Sequence, residues 1–297
     1  MSVQNTKLGI WLMVLTTFIF AVQDGISRHL ADNYNVFMVV MIRYWFFAAF
    51  VMTVASRNAG GLRKAAATTQ PVVQVFRGIL LAGEVCVMVL AFTLLGLVES
   101  HAIFACYPLL IAALSGPVLG EKVGWRRWAA VGAGFVGMLI ILKPGLRVFE
   151  PQALVALCSA AMFALYGLLT RYVARKDSAA TSFFWTGVAG AVLMSFVGIW
   201  FWEPMTGGDW VWMAILCVTG AAGHWTLIRV YEVAEASSVQ PFAYFQLVFA
   251  STMGVLVFGE AIEPSTALGA AVIVGAGLFA LWREHQSKKR QDRAVAR

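Results

Sequence analysis

About ten apolar segments divide this chain, at roughly 8–29, 34–55, 72–97, 101–119, 126–143, 151–173, 179–201, 210–231, 238–258 and 264–282. A bilayer core is about 30 Å thick and a helix rises about 1.5 Å per residue, so about 20 apolar residues cross it. Lipid offers no water to backbone N–H and C=O groups, so spanning segments close their hydrogen bonds internally as helices. Composition agrees: the chain is 60% hydrophobic and 12% charged, whereas a soluble domain carries about 25% charged residues. The expectation is an all-α integral membrane protein with the lipid bilayer as its first partner.

The segments repeat. Val98 to Glu121 begins polar with Glu99-Ser100-His101, runs apolar past Pro108 and closes on Gly120-Glu121. Ala234 to Glu260 runs from a small polar start past Pro241 to Gly259-Glu260, 139 positions later. The first segment, Phe20 to Arg28, likewise resembles the sixth, Phe163 to Arg171. Each half then holds five spans, and an odd number makes the second half enter the membrane upside down. The expected fold is ten transmembrane helices as two inverted five-helix repeats around a central cavity. Its parts are residues 1–147, 148–283 and a basic cytoplasmic tail at 284–297.

Basic residues orient it. With both termini in the cytoplasm, that side holds Lys7, Arg57, Arg63, Lys64, Lys122, Arg126, Arg127, Arg171, Arg175, Lys176 and the tail. The far side then holds Arg28, Lys143 and Arg147, and such asymmetry sets topology. The same need accounts for the net charge of +7, so no nucleic-acid partner is expected. Cys86, Cys106, Cys158 and Cys217 all lie in apolar runs, at spacings unlike a metal site or disulfide framework. The first apolar segment lacks a small-residue cleavage site and reads as a retained span.

Two halves of five spans, with Gly-Glu closing spans four and nine, resemble the drug/metabolite transporter superfamily, specifically its EamA-type exporters. The resemblance covers nearly the whole chain, through diffuse motifs. Within that group the chain resembles bacterial inner-membrane exporters of aromatic and other neutral amino acids. The resemblance implies a cavity enclosed by spans one to four and six to nine, with five and ten outside. One departure is Leu247, where such proteins often carry a proline matching Pro108; here Pro241 places the second kink elsewhere. Proline in lipid strips a hydrogen bond and invites bending, so Pro108 and Pro241 are the expected hinges.

Polar groups at membrane depth are costly and seldom face lipid. Those of interest are Gln23 and Asp24 in span one, Arg43 in span two, Glu84 in span three, His224 in span eight and Gln246 in span nine. Arg43 and Glu84 either neutralise each other or one of them meets the ammonium or carboxylate of a substrate. His224 is either an interhelix hydrogen-bonding residue or a proton carrier. Asp24 reads as a boundary residue, and Glu121 and Glu260 as caps or structural partners. Mid-span Phe104, Tyr107, Tyr166, Trp225 and Tyr244 either pack the core or wall the cavity, where rings meet an ammonium by cation–π contact. Glycines in spans five and ten (Gly132, Gly134, Gly137, Gly269, Gly275, Gly277) fit close helix packing, internal or between subunits. Monomer and homodimer both stay open.

No HExxH or GxxxxGK[ST] pattern occurs, so no enzyme, metal site, cofactor or nucleotide motor is expected. Energy would come from the substrate gradient or a coupled ion, a proton on Glu84 or His224 being one option and facilitation the other. The reading is an inner-membrane secondary transporter exporting neutral amino acids and related small metabolites by alternating access. Alternatives are a carrier of phosphorylated metabolites or nucleotide sugars, which needs more buried cations than Arg43, or a membrane enzyme or subunit.

Overall fold

The computed structural model describes residues 5–57, 60–119, 125–142, 151–234, 239 and 242–295. The helices are α1 (Thr6–Ala31), α2 (Val36–Arg57), α3 (Gly61–Ala66), α4 (Pro71–Phe104), α5 (Tyr107–Leu119) and α6 (Trp125–Leu142). They continue as α7 (Pro151–Val173), α8 (Ala179–Gly198), α9 (Gly207–Val233), α10 (Phe245–Phe258) and α11 (Pro264–Val295). Among the described residues, six helices are long and apolar enough to cross a membrane: α1, α2, α4, α7, α9, and α8 with the 3-10 turn after it. Shorter apolar stretches lie in α6, α10 and the first half of α11. The protein is an all-α membrane protein. Its basic tail does not leave the last helix, because α11 runs on to Val295.

Local chemistry sets the helix starts. The Asn5 side chain accepts from the Leu8 amide, Ser178 from Thr181 and Thr206 from Asp209, each satisfying an N–H that the first turn leaves free. Pro71, Pro151 and Pro264 open α4, α7 and α11, where a missing N–H costs nothing.

The packing repeats when the halves are exchanged. Helix α1 packs on α9 and α10, as α7 packs on α4 and α5. Helix α2 lies against α8, and α6 against α11. Spans five and ten meet inside the chain at Gly137 and Gly269: a Cβ on Gly137 would lie 2.8 Å from the Gly269 carbonyl.

Each end of the bundle has an aspartate clasp. At one end Tyr34 donates to Asp209 at 2.8 Å, His29 lies 3.3 Å from it, and Thr206 donates to it. At the other, Thr68 and Gln74 donate to Asp177, at 2.5 and 2.8 Å. The first joins the α1–α2 and α8–α9 loops, the second the α7–α8 and α3–α4 loops. Exchanging the halves carries each pair of loops onto the other pair, with the aspartate on α9 in the first clasp and in the α7–α8 loop in the second.

Span four is two pieces. Gly96 (φ +81°) breaks α4, so residues 97–104 form a separate arm. A turn at Ala105–Cys106 then leads into α5. Pro108 sits in the first turn of α5, after the break, where it is harmless. Helix α10 likewise starts at Phe245, with Tyr244 in a turn. The break is thus in register in both halves, although Leu247 replaces proline. Pro241, Gly120 and Glu121 lie outside the described residues.

Glu260 holds the break in place. It accepts from the backbone amides of Leu97 at 2.8 Å and Val98 at 2.7 Å, capping the arm from another helix. It also pairs with Arg28, whose guanidinium lies 4.3 Å from the Phe258 ring centre. The capping role expected of Glu260 is therefore observed.

Candidate functional site

Between the halves, α1, α2, both pieces of α4, α7, α9 and α10 bring a polar cluster to one small cavity. The arrangement follows from helix geometry. Gln23 and Asp24 sit one turn beyond Phe20 on α1, while α4 carries Glu84, Met88 and Phe92 at four-residue spacing, one stripe of a helix. Arg43, Glu84, His224 and Gln23 are 3, 4, 3 and 5% exposed. Phe20, Phe92, Phe104 and Phe163 supply apolar wall. The free volume is about 40 Å³, room for roughly one water molecule.

A hydrogen-bonded chain crosses the cavity. Arg43 donates to the Gln23 side-chain oxygen at 3.0 Å, and Gln23 reaches Asp24 at 3.4 Å. Gln246 donates to Asp24 at 3.3 Å, and His101 lies 3.0 Å from the same carboxylate. Arg43 is also 3.2 Å from His224 Nε2. A guanidinium only donates, so that nitrogen accepts and His224 is neutral here. Across the site, Ser159 donates to Glu84 at 2.7 Å.

Arg43 and Glu84 form no ion pair among the described residues. Each keeps to neutral partners, so a guanidinium and a carboxyl group face one space without forming a salt bridge. Gly220 makes room for Arg43: a Cβ there would lie 2.6 Å from its Nε.

Of the residues singled out in the sequence, Gln23, Arg43, Glu84, Phe104, His224 and Gln246 line this cavity. Tyr107 and Tyr166 stand behind it, their rings 5.0 and 6.1 Å from Phe163. Trp225 does not join them. It packs on Phe183 and lines a separate apolar cavity of about 600 Å³ beside Phe46, Phe50 and Lys64. Adjacent helix residues point about 100° apart, so the neighbour of a cavity histidine faces elsewhere. Tyr244 is also apart, packed against Gly277 and Ile273.

Three expectations change. Asp24 is no boundary residue; it is the acceptor at the centre of the network. His101, read only as part of a polar patch, is 1% exposed and bonded to it. Arg43 is not alone as a buried cation, since Arg77 is fully buried. Its guanidinium is already occupied by Tyr166 at 3.2 Å, Thr170 at 3.1 Å, Gln74 at 3.0 Å and the Ser182 carbonyl. Arg77 braces α4 against α7 and α8 and leaves the cavity with one cation. A sequence signal existed: Gln74 and Arg77, three apart, share one helix face.

The EamA-like transporter family model matches residues 7–143 and 151–282. An S-adenosylmethionine uptake transporter of Rickettsia prowazekii is 26% identical over 94% of both chains. A riboflavin transporter of Vibrio cholerae is 27% identical over the full length of both. A solved structure described only as a protein crystal structure matches with a TM-score of 0.67 and 19% identity. It covers 91% of this chain and 96% of the other, a likeness that shows the fold alone.

Proposed function

The chain belongs to the EamA-like transporter family, and we propose that it carries a small metabolite with an amino-acid-type head and a ring-bearing body. It is a secondary transporter of small metabolites and not an enzyme. The observation that carries the substrate reading is Arg43 and Glu84, with no salt bridge between them, in one phenylalanine-walled cavity. The substrate carboxylate would meet Arg43 and its ammonium Glu84, while Phe20, Phe92, Phe104 and Phe163 take the body. Few polar groups fixing orientation within an apolar wall is the usual economy of small-molecule sites. S-adenosylmethionine, named for one set of relatives, has such a head and a purine; aromatic amino acids have the same head and a smaller ring. Export of neutral amino acids has no counterpart in the names of these relatives. Direction in this reading follows the gradients.

The halves, 1–147 and 148–283, act as inverted repeats with both termini in the cytoplasm of a bacterial inner membrane. Support comes from packing that survives exchange of the halves, and from clasps at opposite ends that join corresponding pairs of loops. The cavity of about 40 Å³ is smaller than any such metabolite, so binding requires the halves to part around it. Release of either clasp opens one side, with the breaks before α5 and α10 as bending points.

Arg77 is sequestered, so a phosphorylated substrate would find one cation, too few for its charge. The test is counterflow in proteoliposomes holding the purified chain, with labelled S-adenosylmethionine, riboflavin and phenylalanine as probes. Exchange of S-adenosylmethionine or phenylalanine, lost in Arg43→Met and Glu84→Gln, is the expected result. Exchange unaffected by both substitutions refutes the assignment of the head group.

A further inference from the structure

The two ring contacts of His101 can both be hydrogen bonds only with an extra proton. His101 Nδ1 lies 2.9 Å from the Leu97 carbonyl oxygen. A carbonyl only accepts, so Nδ1 carries a hydrogen. In the neutral ring Nε2 then has a lone pair, yet it lies 3.0 Å from Asp24 Oδ2. An ionised carboxylate also only accepts. The contact therefore needs one more hydrogen, on Nε2 as imidazolium or on Oδ2 as carboxylic acid.

We propose that Asp24 and His101 together hold one exchangeable proton, and that this site makes transport proton-coupled. The coupling rests on the transport reading above; the proton site does not. His101 stands on the arm 97–104 and Asp24 on α1, so the proton ties α1 to the broken span four. When it leaves, a lone pair faces a carboxylate and the tie is lost. Asp24 then keeps Gln246 and Gln23, and through Gln23 reaches Arg43. Proton loss at the pair and ligand arrival at Arg43 thus act on one network.

Other ionisable groups of the packed elements frame the pair. On the cavity side they are Glu84 of α4, Arg43 of α2 and His224 of α9. Towards the end of the bundle Arg28 of α1 pairs with Glu260. Helix α10 brings the neutral Gln246, and α5 and α7 bring the phenols of Tyr107 and Tyr166. Glu84 and His224 were the sequence's candidates for the proton. In the structure Glu84 is held by Ser159 and His224 accepts from Arg43, and neither contact requires an added proton.

Two measurements decide the matter. Histidine-selective 15N NMR and infrared spectroscopy of the detergent-purified full chain count the proton without any substrate, with His101→Gln assigning the His101 signals. A doubly protonated His101, or a protonated carboxyl band that Asp24→Asn removes, is expected. A neutral His101 beside an ionised Asp24 overturns the proposal. In proteoliposomes, a gradient of about two pH units should drive up to about 100-fold accumulation of labelled S-adenosylmethionine or phenylalanine, tenfold per unit for one proton. His101→Gln, which still offers a donor to Asp24 but carries no exchangeable ring proton, should abolish that accumulation, and an unfolding midpoint near that of the wild type shows that the variant is folded. Counterflow with no gradient response in the wild type refutes the coupling alone. Absence of counterflow with every probe refutes the transport reading, and the spectroscopy still decides the proton site.

Discussion

Replacing Glu260 by alanine should loosen the whole break in span four. Its carboxylate accepts from the Leu97 and Val98 amides and pairs with Arg28, and the two side chains are 14 and 18% exposed. Removing one member of a largely buried ion pair costs about 3–5 kcal/mol. Loss of an N-terminal cap costs about 0.5–2 kcal/mol and partly overlaps that figure. Partial exposure pulls the total towards the lower end, so we expect about 3–4 kcal/mol. Glu260→Gln keeps one accepting oxygen and loses the charge, and should cost about 1–3 kcal/mol. Gly96 tests the same contact from the other side. It sits at φ +81°, and a Cβ there would lie 2.9 Å from Glu260 Oε1. Gly96→Ala therefore adds backbone strain of about 1–2 kcal/mol and a clash with the carboxylate. In the double variant the clash is gone, so the two costs should sum to less than their separate values. Unfolding in mixed micelles, followed by circular dichroism, measures the wild type and the four variants. Glu260→Ala within about 0.5 kcal/mol of wild type, the scatter of an ordinary surface change, would refute this account of the break.

Gly220→Ala should push the Arg43 guanidinium from Gln23 and His224, its new Cβ falling 2.6 Å from Nε; counterflow should drop about tenfold or more, the effect of 1.4 kcal/mol. Arg77→Ala should destabilise by about 3–5 kcal/mol, since it strips a buried network of its centre, and expression and unfolding midpoint should both fall. Gly269→Ala should cost about 1–3 kcal/mol by overpacking, because its Cβ would meet the Gly137 carbonyl at 2.5 Å; thermal unfolding in detergent reads this.

Much of this fold is written in the sequence because lipid leaves so few alternatives. Apolar length marks the helices, and Gly-Glu at 259–260 marks the cap. Arg43 and Glu84 were visible as charges stranded at mid-span. Position along a helix was readable; direction around it was not, which is why Trp225 and His224 part company. Depth misled for Asp24: counting residues put it near the end of span one, but the arm 97–104 turns inward and brings His101 to meet it. Arg77 lies early in α4 and looks like an interfacial anchor. It is buried because Tyr166, Thr170 and Ser182 arrive from distant helices with acceptors. The break before α10 had no proline in register to announce it.

The account depends on two copies of one unit that enter the membrane in opposite senses and close around the polar cavity. Asn33 and Lys176 are exposed loop residues at corresponding places in the two halves. In a background without the four native cysteines, Asn33→Cys and Lys176→Cys can each be labelled in intact cells with a membrane-impermeant maleimide. The account predicts labelling at 33 from outside and at 176 only after the membrane is opened. Labelling of both from the same side would contradict it.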